Sequence, residues 1–377
     1  MRSVLMRKYL GLLLGLFLYS CTGKNGQELL IVQSTPGYFQ DKFKPCSVIP
    51  IETNDSLLVS DIERVISVDR DYLLLSSKSN IVALLDGTSG KAKAIINRVG
   101  TGPGEYRRII DIAYDSISQR ILIYNDYSKL LFYDLNGSFL SDISVEGSYE
   151  FIVCRNNEVI FYNALEGYSC QPFMIKKYDL SKGEWINVGN NTDIEFPMRI
   201  KGRQIVASKR IWFNAPLDFN MYCLSDDGFS SMYEIGYPKS ALSKRLIKSA
   251  VENPMDFLQK VGEDEIVYGM NSVRELNDYI IYRTNQMDIC LLGKNKRMVH
   301  SDKFILQDFF NLSSNDYFPH DGNDNLVMFV LSAEKYTEGL EWLKIYGHDL
   351  DNRFVFEDVK EDHNPLLVFF QPIDISQ

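Results

Sequence analysis

The sequence predicts an all-β fold, a six-bladed β-propeller behind an export signal. Three observations predict it: a cationic then apolar leader that ends at Cys21, a strand–turn unit recurring every 45 to 65 residues, and helical periodicity confined to one short stretch. Repetition matters most, because a small sheet cannot bury both of its faces alone, whereas sheets packed radially bury each other's faces and leave only short edges.

The leader carries Arg2, Arg7 and Lys8 and then runs apolar from Tyr9 to Tyr19. That length suits the core of a signal peptide and is too short to span a bilayer as a helix. Leu18-Tyr19-Ser20-Cys21 resembles the lipobox of bacterial lipoproteins, with Tyr19 bulkier than usual. The resemblance implies removal of residues 1–20 and a diacylglycerol thioether on Cys21, so the membrane is an expected partner through this anchor. Residues 21–42, with Gly23, Lys24, Asn25 and Gly26, read as a polar tether, and the propeller is expected over 43–377.

Formal net charge is -10 for the 377 residues; without the three leader cations the remainder is near -13. Such a chain is not built to neutralise phosphates, and no nucleic-acid partner is expected. Cys46, Cys154, Cys170, Cys223 and Cys290 lack metal-type spacing. Buried free thiols are favoured over a bridge between Cys154 and Cys170.

Strands alternate with turns, as in Arg120-Ile-Leu-Ile-Tyr124 and Leu130-Leu-Phe-Tyr133. The recurring turns fall at Gly87, Gly137, Gly183, Gly228, Gly293 and Asn352, with intervals of 50, 46, 45, 65 and 59 residues, which fits one four-stranded blade per unit. A jelly roll or two-sheet sandwich would not repeat in this way. The long fourth interval holds a short helical insertion around 240–262. There Leu242, Leu246, Ile247, Ala250 and Val251 precede a break at Asn253-Pro254, and Met255, Phe257, Leu258 and Val261 begin a second pattern. Its apolar face is expected to pack on the adjoining blade, with a lid as the competing role.

The most distinctive stretch is Asn97-Arg-Val-Gly-Thr-Gly-Pro-Gly-Glu-Tyr106. Gly102-Pro103-Gly104-Glu105 predicts a type II turn, because proline presets φ at the second position and glycine accepts positive φ at the third. With Asp111, Asp126 and Tyr133-Asp134 following, and with Asn364-Pro365 before an apolar strand near the C-terminus, the chain resembles the six-bladed β-propeller lipoproteins of Gram-negative gut bacteria. Their architecture is related to NHL and TolB-like propellers. The resemblance implies fold and envelope location more than activity.

No phosphate loop, His pair, nucleophile elbow or catalytic triad is legible, so neither cofactor nor metal is expected. The motif should link an outer strand to the next inner strand near the rim of the central channel. Arg98, Glu105, Tyr106 and Arg107 are then the candidate ligand-binding residues, against the alternative that Glu105 and Tyr106 only brace the turn. The favoured function is a non-enzymatic binding or scaffold module for a protein, peptide or glycan. The alternative is a cation-dependent hydrolase or lyase at the channel mouth, with Asp111, Asp126 and Asp134 the nearest carboxylates. The residues after Cys21 lack an acidic pair that resembles a surface-export signal, so an outer-membrane lipoprotein facing the periplasm is expected.

Overall fold

Strands of two to nine residues, most of them largely apolar and separated by polar turns, form six sheets set around an axis in this computed structural model. The structure describes residues 28–31, 42–163, 175–188, 202–215, 217–225, 228–236, 246, 248, 252–263, 266–293, 300–302, 312, 316–318, 320–322, 325–346 and 352–373. The chain starts with β1 (Glu28–Ile31) and β2 (Phe43–Pro50), which serve distant blades. Blade one is β3 (Arg64–Val68), β4 (Asp71–Ser76), β5 (Ile81–Leu85) and β6 (Ala92–Ile96). Blade two is β7 (Ile109–Asp115), β8 (Arg120–Asn125), β9 (Lys129–Tyr133) and β10 (Phe139–Ser144). Blade three is β11 (Phe151–Arg155), β12 (Glu158–Tyr162), β13 (Ile175–Asp179) and β14 (Glu184–Val188). Blade four is β15 (Ile205–Ala207), β16 (Ile211–Phe213), β17 (Asn220–Ser225) and β18 (Gly228–Gly236). Helix α1 (Pro254–Glu263) leads to blade five, formed by β19 (Met270–Glu275), β20 (Tyr279–Thr284), β21 (Ile289–Gly293) and β22 (His300–Asp302). Blade six holds β23 (Tyr317–Phe318), β24 (Val327–Leu331), helix α2 (Ala333–Tyr346) and β25 (Leu366–Pro372).

In blades one, two, three and five each strand pairs antiparallel with the next, so the first strand is innermost and the fourth outermost. Blade six departs from this: its outermost strand is β2, paired antiparallel with β25 in a register that sets Val48 opposite Val368. The two ends of the chain thus complete one sheet and close the ring. Blade four gains a fifth strand, because β1 lies parallel along β18 and covers its outer edge.

The core is divided among the interfaces between blades. Ile66, Leu73 and Val82 of blade one meet Ile112, Ile121 and Tyr133 of blade two. Equivalent clusters join each later pair and return through Phe369 and Met328 to Val65 and Leu74. Middle strands are sandwiched on both faces, which is why β5 is buried at every position and reads in the sequence as an unbroken apolar run.

Two sequence expectations are corrected. The unit around Asn352 is not a hairpin turn: α2 ends at Tyr346, and Asn352 opens a 3-10 turn to Phe354. Blade six needs no turn there, since its last strand comes from the other end of the chain. Helix α2 itself went unforeseen, although Ala333, Tyr336 and Leu340 have helical spacing and pack on the core between blades five and six. Ser332 Oγ caps it by accepting the Lys335 N–H at 3.2 Å.

The expected insertion is helical over Pro254–Glu263 and at Leu246 and Lys248; most of 237–251, with Leu242, Ile247, Ala250 and Val251, lies outside the described residues. Phe257 and Val261 are buried against Leu217, between β16 and β17, so this face packs on blade four. Cys46, Cys154, Cys223 and Cys290 are free thiols, while Cys21 and Cys170 lie outside the described residues.

Candidate functional site

Innermost strands bring buried charge to the axis. Arg64, at the start of β3, is 1% exposed. Its Nε donates to Asp321 Oδ2 at 2.9 Å, and its Nη2 donates to the same oxygen. Its Nη1 donates to Asp111 Oδ2 at 2.9 Å, to the Ile152 carbonyl at 2.7 Å and to the Ile112 carbonyl. Arg203, just before β15, completes the cluster with a bidentate contact, Nη1 to Asp111 Oδ1 at 3.1 Å and Nη2 to Oδ2 at 2.9 Å. Its guanidinium also stacks over Phe151 at 4.6 Å.

Asp111 reaches this position through a local irregularity: the β7–β8 register shifts between Ile109 and Asp111. One extra residue in a strand re-aims the side chain that follows it. A second shift, between Asn271 and Arg274 with Ser272 at φ 56°, lies on β19, where Arg274 Nη1 comes within 2.9 Å of His320 Nδ1. Burial alone would push the Asp111 carboxyl up, but Arg203 and Arg64 outweigh it and hold the group below its ordinary value. Arg64 likewise keeps its proton more firmly than usual, since Asp111 and Asp321 outweigh its burial.

Beside this cluster, where innermost strands turn back toward second strands, lies a cavity of about 340 Å³. Blade one supplies Arg64, Ile66, Ser67 and Asp69, blade two Ala113, Tyr114 and Ser116, and blade three Cys154, Arg155 and Asn156. Ala207, Ser208, Asp321 and Gly322 close the other side. The turns are sharp: Asn156 and Asn157 both hold positive φ, at 52° and 63°, between the paired Arg155 and Glu158. That is the geometry of a type I′ hairpin, which asparagine tolerates. Ser67 donates its N–H to the Asp321 carbonyl at 2.7 Å, and Asp321 donates to the Val65 carbonyl at 3.0 Å, which seals blade six to blade one at the cavity wall. Gly322 N–H reaches the Ala207 carbonyl at 3.2 Å.

The four candidate residues of the Gly-rich motif lie elsewhere. The motif connects outermost β6 to innermost β7, and its turn has the expected form, with Glu105 N–H bonded to the Gly102 carbonyl at 3.0 Å and Gly104 at φ 70°. A side chain at residue 104 would meet Phe139 at 2.4 Å. Glu105 Oε2 accepts the Gly102 N–H at 2.7 Å. Tyr106 is fully buried, and its hydroxyl accepts the Arg98 N–H at 3.1 Å and lies 3.0 Å from the Ile96 carbonyl and 3.1 Å from the Asn80 carbonyl. Exposed Arg107 pairs with Asp126 at 2.9 Å and covers Tyr127, and exposed Arg98 contributes its backbone to the turn. None of the four lines the axial cavity.

The three carboxylates considered for a cation separate in the same way. Asp111 is at the axis, Asp126 accepts from Arg107 and the Arg108 N–H, and Asp134 accepts the Asn136 and Ser138 N–H groups of its own turn. Among the described residues, no three His, Cys, Asp or Glu side chains are grouped to hold a metal ion. Sequence reasoning missed Arg64, Arg203 and Asp321; for Arg64 the available signal was an arginine opening a mostly apolar strand, Arg64-Val-Ile-Ser-Val68.

A family model described as "Domain of unknown function (DUF4934)" matches residues 31–371. Among solved structures, a Bacteroides fragilis protein assigned as exported is similar, with a TM-score of 0.75 at 17% identity over 92% of this chain and 100% of that one. A member of the DUF4221 family from Bacteroides vulgatus is similar over 88% of this chain and 97% of that one, at 10% identity and a TM-score of 0.52. No curated protein matches.

Proposed function

The chain belongs to the DUF4934 family, and from that premise we propose that it is an exported, lipid-anchored propeller of the cell envelope that binds its ligand at the axial cavity. The observation that carries this reading is the cavity itself. Five blades contribute polar side chains to one mouth, and the network of Arg64, Asp111, Arg203 and Asp321 fixes its floor. Rigid elements that present convergent polar groups from several loops are the usual setting of a binding site. Its volume lies at the lower end of the range of about 300–1,000 Å³ for small-ligand pockets.

The leader with Cys21 supports export and anchoring, and the fold neighbour assigned as exported supports export. The sequence after Cys21 favours the periplasmic side of the outer membrane. Two measurements test the reading. Cells given a clickable palmitate should label the full chain and not its Cys21→Ala variant; equal labelling of both contradicts the anchor. A thermal-shift screen of the purified full chain against peptides, glycan fragments and divalent cations should give a saturable rise, by mass action on the folded state. Ser116→Trp, which places an indole in the mouth, should abolish the rise; its persistence would move the site elsewhere.

A further inference from the structure

Resting on the axial cavity as the binding site, we propose that its ligand is a small zwitterion of the amino-acid or dipeptide class, with its ammonium group toward Asp69 and Asp321 and its carboxylate toward Arg155. Charge balance is the first argument. The ionisable side chains in the wall, apart from the Cys154 thiol and the Tyr114 phenol, which burial pushes up, are Arg64, Arg155, Asp69 and Asp321. Their formal charges cancel, and the pair behind them, Asp111 with Arg203, cancels as well. A net cation would gain from the two carboxylates and lose against the arginines, and a net anion would do the reverse. A dipolar ligand gains at both ends.

The charged groups that the buried network leaves over are the second argument. Asp69, on the β3–β4 turn, and Asp321, after β23, belong to adjacent blades one and six, joined by the backbone bonds of Ser67 and Asp321. Arg155 ends β11 in blade three, opposite blade six in a ring of six. Its Nη1 donates to the Ser208 carbonyl at 2.7 Å, which holds the guanidinium at that wall. Arg64, on the same wall as Asp69 and Asp321, has its donors taken by Asp321, Asp111 and the Ile112 and Ile152 carbonyls, so the guanidinium that a ligand carboxylate would meet is that of Arg155. A charged ligand group held against a fixed opposite charge forms the stronger, shorter class of hydrogen bond.

Unequal use of the Asp321 carboxylate is the third argument. Oδ2 takes both donors from Arg64, while Oδ1 is buried and has no hydrogen-bond partner among the described residues. A buried carboxylate oxygen without a donor is costly, and an ammonium group, with three donors and no acceptor, would supply one once the Asp321 side chain turns toward the cavity it lines. Neutral serines at 67 and 116 complete the lining without adding charge.

The experiment is a thermal-shift and calorimetric titration of the full chain, purified in detergent, with glycine, L-alanine, L-serine and glycylglycine. Each is paired with its N-acetylated and its C-amidated form, and methylamine, acetate and glucose serve as single-charge and neutral probes. At least one free zwitterion should bind saturably, and either blocking group should weaken it by about tenfold or more, the loss of a charge-assisted contact. Asp69→Asn and Arg155→Gln, both at turn positions and checked for fold by circular dichroism, should each weaken it by about tenfold. Absence of binding by every free zwitterion, or equal binding of the blocked forms, overturns the proposal. If glucose instead binds in a manner that Ser116→Trp abolishes, the zwitterion is wrong while the axial site stands. If a probe binds and Ser116→Trp leaves it unchanged, both fall.

Discussion

Two regions of the molecule, the Gly-rich turn at the periphery and the charged cluster at the axis, use the same residue types in opposite ways. In the turn, polar groups find their partners close by in the chain: Glu105 bonds three residues back, Tyr106 eight, and Arg107 meets Asp126 nineteen ahead. At the axis, Arg64 meets Asp111 at a separation of 47 residues and Asp321 at 257, and Arg203 meets Asp111 at 92. Local pairing shapes a connection between two blades. Distant pairing ties blades one, two, three, four and six to a common point and depends on all of them being in place.

The comparison is most severely tested at Asp111. Asp111→Ala leaves two arginines buried without their shared carboxylate, and removing one partner of a buried network costs about 3–5 kcal/mol. Urea denaturation should show a loss of that order, and a loss below about 1 kcal/mol would mean that the cluster does not act as a unit. The same residue sets an acid limb. Its carboxyl is held below the ordinary value in the folded state. Its contribution is therefore complete above the unfolded value of about 3.9 and fades as pH falls through the lower folded value. Wild-type stability should drop over that window, and Asp111→Asn should flatten the drop.

A smaller effect is expected where the ends of the chain meet. Asn364 uses every side-chain group: Oδ1 accepts the Val59 N–H at 2.8 Å, and Nδ2 donates to the Glu52 and Leu57 carbonyls at 2.7 and 2.8 Å. Asn364→Ala strands a buried N–H and two carbonyls, for about 2–3 kcal/mol by the same denaturation assay. A loss as large as that of Asp111→Ala would shift weight from the axis to the closing seam.

The same division explains what was legible beforehand. Turn chemistry is local, so Gly102-Pro103-Gly104-Glu105 could be read as a type II turn and five of the six repeat positions fall where a third strand gives way to a fourth. Blade count followed from that spacing. The strand exchange in blade six was not legible, because nothing in Phe43–Pro50 marks it as the partner of Leu366–Pro372. The axial cavity escaped for the same reason: its residues come singly from separate blades, and each alone resembles an ordinary turn or strand residue. The motif drew attention because its ten residues are concentrated, and the side chains of Glu105, Tyr106 and Arg107 bond within the fold.

Within the turn, Tyr106→Phe removes one buried hydroxyl and its contacts with the Arg98 N–H and the Ile96 and Asn80 carbonyls. It should cost about 1 kcal/mol in thermal or urea melts. Arg107→Ala, which breaks an ion pair whose arginine is 72% exposed, should leave the midpoint unchanged. A large effect there would give the surface of the motif a structural weight that its geometry does not show.

The most direct measurement compares Arg98→Ala with Ser116→Trp in the thermal-shift assay, using whichever compound raises the wild-type midpoint most. With the ligand at the axial mouth, the rise survives in Arg98→Ala and disappears in Ser116→Trp. A rise lost in Arg98→Ala and retained in Ser116→Trp would place the binding surface on the peripheral motif and contradict the account.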